Sequence, residues 1–196
     1  MNISWNIPNI LTSLRIILIP VFLLAFFILP YCFSDGNPWP SRISFGIFWV
    51  ASVTDWFDGY LARKLNQTSP FGAFLDPVAD KLMVVFAIIC LTTRLNQAYF
   101  VIPAAVIIGR EIVISALREW MAEYGKRGKV AVSILGKIKT TAQMLALMFL
   151  LFNSDLFLFM TKRFNHITGV VLLYVAAILT VVSMIDYLKA AFSEND

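Results

Sequence analysis

Four of the chain's twelve acidic residues, Asp55, Asp58, Asp76 and Asp80, fall within one 26-residue stretch. Their spacing is helical. At about 100° per residue, positions three and four apart share a helix face, which pairs Asp55 with Asp58 and Asp76 with Asp80. Gly59 and Ala62 fall on the face of the first pair, and Gly72 lies one turn before the second. Four carboxylates this close repel one another, and some would take up protons. Two divalent cations would neutralise all four. Mg²⁺ and Mn²⁺ suit all-oxygen ligand sets, and Mg²⁺ usually shares its shell with substrate phosphates. Paired metals can clamp the attacking and leaving oxygens of a phosphoryl displacement. Gly59, Ala62 and Gly72 remove side chains where a phosphate or a base must approach the backbone. In the competing reading the carboxylates pair with Arg63, Lys81 or Arg110 and only join helices.

The elements that must position these residues are membrane helices. The chain has 196 residues, 59% hydrophobic and only 14% charged, too apolar for a soluble domain of this size to hide from water. Apolar runs of about 20 residues read as bilayer spans, and they lack the alternation of membrane barrels. The expected fold is therefore all-α, a polytopic membrane protein with six transmembrane helices in a single domain, 1–196. The spans are expected from about Asn9 to Leu29, Ile43 to Ala62, Phe74 to Thr93, Tyr99 to Trp120, Leu135 to Phe152 and Thr168 to Leu188. A short polar turn from Lys64 to Pro70 makes the second and third spans antiparallel neighbours. Both carboxylate pairs then lie near one end of a shared groove.

Six spans put both termini on one side. Arg63-Lys64, Lys126-Arg127-Lys129 and Lys137-Lys139 lie on that side, against Arg42, Arg94 and Lys162-Arg163 on the other. This bias places the termini and the aspartates at the cytoplasmic face. The start of the chain has no basic n-region, so the first apolar run is read as a retained span. Cys32 and Cys90 sit at or inside apolar runs and suggest neither a disulfide framework nor a thiolate metal site. His166, the one histidine, is placed in the last loop and given no chemistry. The net charge of +4 is modest, and no nucleic-acid partner is expected.

Asp55-x-x-Asp58-Gly59-x-x-Ala62-Arg63, eight residues, then Gly72-x-x-x-Asp76-x-x-x-Asp80 resembles the signature of the CDP-alcohol phosphatidyltransferase family at all of its fixed positions. Thr54 to Gly59, Phe74 to Lys81, Arg110 to Ile112, Ala116 to Glu123 and Gly136 to Gln143 look like its phosphatidylglycerophosphate synthase branch, in the proteobacterial form. The resemblance implies that Asp55, Asp58 and Asp76 ligate metal and that Asp80 is both a ligand and the general base. It implies a CDP pocket lined by Gly59, Ala62, Arg63 and Gly72. Pro8-Asn9-x-Leu11-Thr12-x-x-Arg15 resembles the family's first-helix pattern, which puts Thr12 near the nucleotide or headgroup; capping and helix contact are the plainer alternative.

The implied reaction moves the phosphatidyl group of CDP-diacylglycerol to sn-glycerol 3-phosphate, releasing CMP, in a bacterial cell inner membrane. Membrane lipids are partners, and family members are homodimers. An acceptor that carries a phosphate needs a second cationic site, for which Arg110, Arg118, Lys137 and Lys139 are the candidates. Arg110 and Arg118 lie about 80° apart on an ideal helix and can bound one pocket. Lys137 and Lys139 lie about 200° apart, so both cannot face inward, and Lys139 is preferred. Rival readings keep the mechanism but change the acceptor to serine, inositol phosphate or a second lipid. Others replace the mechanism with an intramembrane prenyltransferase or a cation transporter, which would want its carboxylates near the bilayer midplane.

Overall fold

A computed structural model describes residues 7–65, 70–123, 134–155 and 161–192. Among them there are six helices and no strands: α1 (Ile7–Cys32), α2 (Trp39–Leu65), α3 (Pro70–Leu95), α4 (Ala98–Glu123), α5 (Ile134–Leu151) and α6 (Lys162–Phe192). A helix satisfies its own backbone polar groups, which is what an apolar run needs when lipid supplies no hydrogen bonds. Pro20 and Pro30 in α1, Pro77 in α3 and Pro103 in α4 are accommodated inside these helices. The helices overrun the expected spans at most ends because hydropathy marks only the apolar part of each. His166 is a correction: it belongs to the first turns of α6 rather than to a loop, and its Nε2 lies 3.0 Å from the Tyr99 hydroxyl. The loop stretches Lys126-Arg127-Lys129 and Leu156 to Met160 lie outside the described residues.

Three helices carry segments long and apolar enough to cross a membrane: Ile10–Cys32, Ala98–Met121 and Lys162–Lys189. Within α5 the apolar part is shorter, Ile138–Leu151. α2 and α3 have 27 and 26 residues, about 40 Å each at 1.5 Å per residue, but they spend part of that length on the charged motif.

Burial on α1 shows how the bundle is organised. Its outward stripe is apolar, with Ile10, Leu14, Ile17, Val21, Leu24 and Ile28 exposed. Its inward stripe begins polar, at Thr12 and Arg15, and turns apolar at Ile19, Phe22 and Ala25. Lipid can solvate the first stripe, whereas the second must find partners inside. α1 packs on α2 and α3, α5 on α6, and α4 bridges α3 and α6. The main core joins Phe22, Phe48, Leu91, Phe100, Ile107, Leu147 and Leu173. A smaller cluster, Ile114, Leu117, Met121 and Tyr187, ties α4 to α6 at the aspartate end. Gly169 lets α5 and α6 approach: a Cβ there would lie 2.6 Å from Leu150 Cγ. Small residues at helix contacts serve membrane bundles in this way, since lipid gives helices little apolar drive to associate.

Candidate active site

The alternating helix directions bring the start of α1, the end of α2, the start of α3, the end of α4, the start of α5 and the end of α6 to one end of the bundle. Arg15 is buried on α1, and its Nη1 meets Asp55 Oδ1 at 2.8 Å. One turn earlier the Thr12 hydroxyl donates to Asp76 Oδ1. The α1 stripe therefore holds one aspartate from each motif helix. Asp55 also lies within Coulombic reach of both Asp76 and Asp80. Gly72 is buried near the start of α3. The side chains of Asp58, Gly59, Ala62, Arg63 and Lys137 lie outside the described residues.

Asp55, Asp76 and Asp80 offer only carboxylate oxygen, the donor type that Mg²⁺ and Mn²⁺ prefer. Three interacting carboxylates with Arg15 as the ion-paired cation at Asp55 are a chemical fit for added positive charge. Among the described residues, no group of three or more His, Cys, Asp or Glu side chains converges on a single point. The donor set fits divalent cations in its all-oxygen chemistry, and not in a gathering of three described ligands about one point.

Asp80 lines a cavity of about 260 Å³ between α3, α4, α5 and α6. Arg110, Arg118 and Lys139 line the same cavity, together with Lys81, Glu111 and Gln143. Arg110 is 6% exposed and Lys139 is 4% exposed, a depth at which a cation needs partners. Glu111 supplies them: its Oε1 accepts from Lys139 Nζ and lies 3.3 Å from Arg110 Nη1. Arg110 Nη2 also donates to Ser183 Oγ at 2.8 Å. Arg118 is exposed and donates from Nη2 to the Tyr187 hydroxyl at 3.1 Å. The Arg110 and Arg118 guanidinium carbons lie 5.5 and 5.3 Å from the Tyr187 ring centroid. One aromatic ring thereby sets the spacing of two cations, through cation–π attraction. Lys81, next to Asp80, donates to Ser115 on α4. Among the described residues, the hydrogen bonds of Lys81 and Arg110 run to Ser115, Glu111 and Ser183.

Sequence reasoning missed four of these groups. Arg15 stood on the right stripe, but nothing local named Asp55 as its partner. Gln143 is four residues after Lys139 on α5 and shares its face, a signal that was available. Tyr187 and Ser183 lie on the last helix, and no spacing rule links them to Arg110 or Arg118.

The family profile of the CDP-alcohol phosphatidyltransferases matches residues 5–182. A protein of Escherichia coli (strain K12) named CDP-diacylglycerol–glycerol-3-phosphate 3-phosphatidyltransferase is 51% identical over 188 residues, 96% of each chain. Proteins of the same name from Salmonella typhimurium (strain LT2) and Salmonella typhi are each 50% identical over 188 residues, again 96% of each chain. Such coverage takes in every helix and the whole Asp55 to Asp80 segment, and on that ground the chain belongs to the CDP-alcohol phosphatidyltransferase family.

Proposed function

We propose that this site transfers the phosphatidyl group of CDP-diacylglycerol to sn-glycerol 3-phosphate, giving phosphatidylglycerophosphate and CMP. The observation that carries the reading is the placing of Asp80 in one cavity with Arg110, Arg118 and Lys139. A carboxylate there has both a base's chemistry and a phosphate-binding wall beside it. The names borne by the half-identical relatives support the same acceptor.

Members of the family are generally dependent on divalent metal. Two ions, Mg²⁺ or Mn²⁺, would be held by Asp55, Asp58, Asp76 and Asp80 and would neutralise charge on the diphosphate. Around them this chain's residues divide the work. Gly59, Ala62, Arg63, Gly72 and Thr12 form the CDP side. Arg15 orients Asp55, and Thr12 orients Asp76. Arg110, Arg118 and Lys139 hold the acceptor phosphate, with Lys137 as the lesser candidate. Asp80 accepts the proton of the free primary hydroxyl as its oxygen attacks the phosphorus that bears diacylglycerol. The bond from that phosphorus to the CMP oxygen breaks, and CMP leaves with the electron pair. Most of the acceleration comes from positioning and from fixed charge in a site sheltered from water.

All six helices cross the bilayer in this reading, with the acyl chains of the donor remaining in lipid while its headgroup enters from the side. The Lys/Arg bias supports a cytoplasmic site with both termini cytoplasmic, in a bacterial inner membrane. A homodimer follows from the family resemblance. The test is direct. Purified chain in detergent, given CDP-diacylglycerol, Mg²⁺ and labelled glycerol 3-phosphate, is expected to place label in lipid and release CMP. Label entering lipid from serine or inositol phosphate, but not from glycerol 3-phosphate, would overturn the acceptor.

A further inference from the structure

Gln143 lines the cavity one turn beyond Lys139 on α5. It is 4% exposed, and its Oε1 is buried without a hydrogen-bond partner among the described residues. Buried amides normally find partners, because desolvating a polar atom without compensation is costly. An amide oxygen left without a partner in a residue of the cavity wall points to a ligand group.

The neighbours show which ligand group it suits. Lys139 and Arg110 are engaged with Glu111, Arg118 with Tyr187, and Lys81 with Ser115. The Glu111 oxygen is already taken by two cations. Thr140 Oγ1 donates to the Gly136 carbonyl at 3.0 Å. Gln143 is a neutral acceptor set among cations that would draw in an anion. The amide oxygen takes a hydrogen bond from a hydroxyl, and it neither repels a phosphate as a carboxylate would nor bonds to phosphate oxygens, which only accept.

We propose that Gln143 is a specificity-determining residue that accepts a hydrogen bond from the secondary hydroxyl, at C2, of the glycerol phosphate acceptor. The inference rests on the acceptor proposed above and deepens it. That acceptor has three polar points: a phosphate for the cations, a primary hydroxyl for Asp80 and a secondary hydroxyl between them. The third has no partner in the mechanism so far, and Gln143 Oε1 has none among the described residues. Binding satisfies both, and a site built to bond a hydroxyl rejects the analogue that lacks it.

The experiment compares glycerol 3-phosphate with 3-hydroxypropyl phosphate, which keeps the reacting hydroxyl and the phosphate but lacks the C2 hydroxyl. The full-length chain in detergent, with CDP-diacylglycerol and Mg²⁺, is expected to favour glycerol 3-phosphate roughly ten- to a hundredfold in kcat/KM. Gln143→Met, similar in length but without an acceptor oxygen, should abolish the preference. It should do so by raising the KM for glycerol 3-phosphate while leaving 3-hydroxypropyl phosphate within about twofold of its original value. Gln143→Glu, which keeps an acceptor oxygen, should retain a preference. An unchanged preference in Gln143→Met would overturn the assignment. So would equal loss of both acceptors in both variants, which would make the role structural. If the unaltered chain used neither acceptor yet transferred to another alcohol, the acceptor reading itself would fall, and this inference with it.

Discussion

The two ends of the helix bundle both hold arginine, part-buried at one and, for Arg15 and Arg110, buried at the other, and they use it differently. At the end opposite the aspartates, Arg94 donates to the Leu150 carbonyl at the close of α5 and lies over the Phe26 ring. Arg42 donates from Nε to Ser154 Oγ at 3.2 Å and from Nη2 to the Asp155 carbonyl at 3.0 Å. Asn165 Nδ2 donates to the Ser154 carbonyl at 3.0 Å. These groups finish the end of α5, where the last carbonyls of a helix lack partners and carry partial negative charge. At the aspartate end, Arg110, Arg118 and Lys139 instead meet side chains around an open cavity. Arg94 and Arg42 each bond a backbone carbonyl, whatever else they touch, and that bond ties them to the fold. Cations on a carboxylate and an aromatic face hold their place yet keep donors to offer, since a guanidinium has five N–H groups and an ammonium three. On the proposed reading, that is the physical difference between a structural and a ligand-binding arginine in this chain.

Substitutions at the two ends can break this contrast. The largest effect is expected from Asp80→Asn. The amide keeps the shape but takes no proton, so turnover should fall by about a hundredfold or more with helical circular dichroism unchanged. Retained activity would remove Asp80 as the base. Next comes Arg118→Ala. Losing a charge-assisted contact should raise the KM for glycerol 3-phosphate by about ten- to a hundredfold, while CDP-diacylglycerol binding stays intact. Loss of nucleotide-lipid binding would show that the pocket is divided differently. The smallest effect is expected at the far end. Arg42→Ala should cost about 1 kcal/mol of stability, read as a lower melting temperature in detergent, with kcat and KM unchanged. A large change in kcat there would mean that the ends are not independent.

The parts legible in the sequence are those governed by short spacing. The three- and four-residue steps among Asp55, Asp58, Asp76 and Asp80 share helix faces whatever the helices pack against. Arg110 was suspect for standing in an apolar run, and it does face a cavity. The number and order of helices were legible too, because about 20 apolar residues have few other ways to fold in lipid. His166 was placed in a loop because hydropathy falls around it, yet the helix begins at Lys162. Polar residues in an interfacial turn can be helical without being apolar, so hydropathy alone misplaces such ends.

Partnerships across the chain were out of reach. Thr12 meets Asp76 across 64 positions, and Arg118 meets Tyr187 across 69. No periodicity connects residues so far apart, and only the packing of α1 on α3 and of α4 on α6 decides them. The sequence by itself determined a membrane bundle with a carboxylate motif at one end, because local helical geometry and the insolubility of apolar runs suffice for both. Tertiary structure alone decided that Arg15 pairs with Asp55, that Tyr187 lies beside two arginines and that Gln143 lines the same cavity as Asp80. Each of those depends on which helix faces which, a choice made by the summed contacts of the whole bundle and by no single segment.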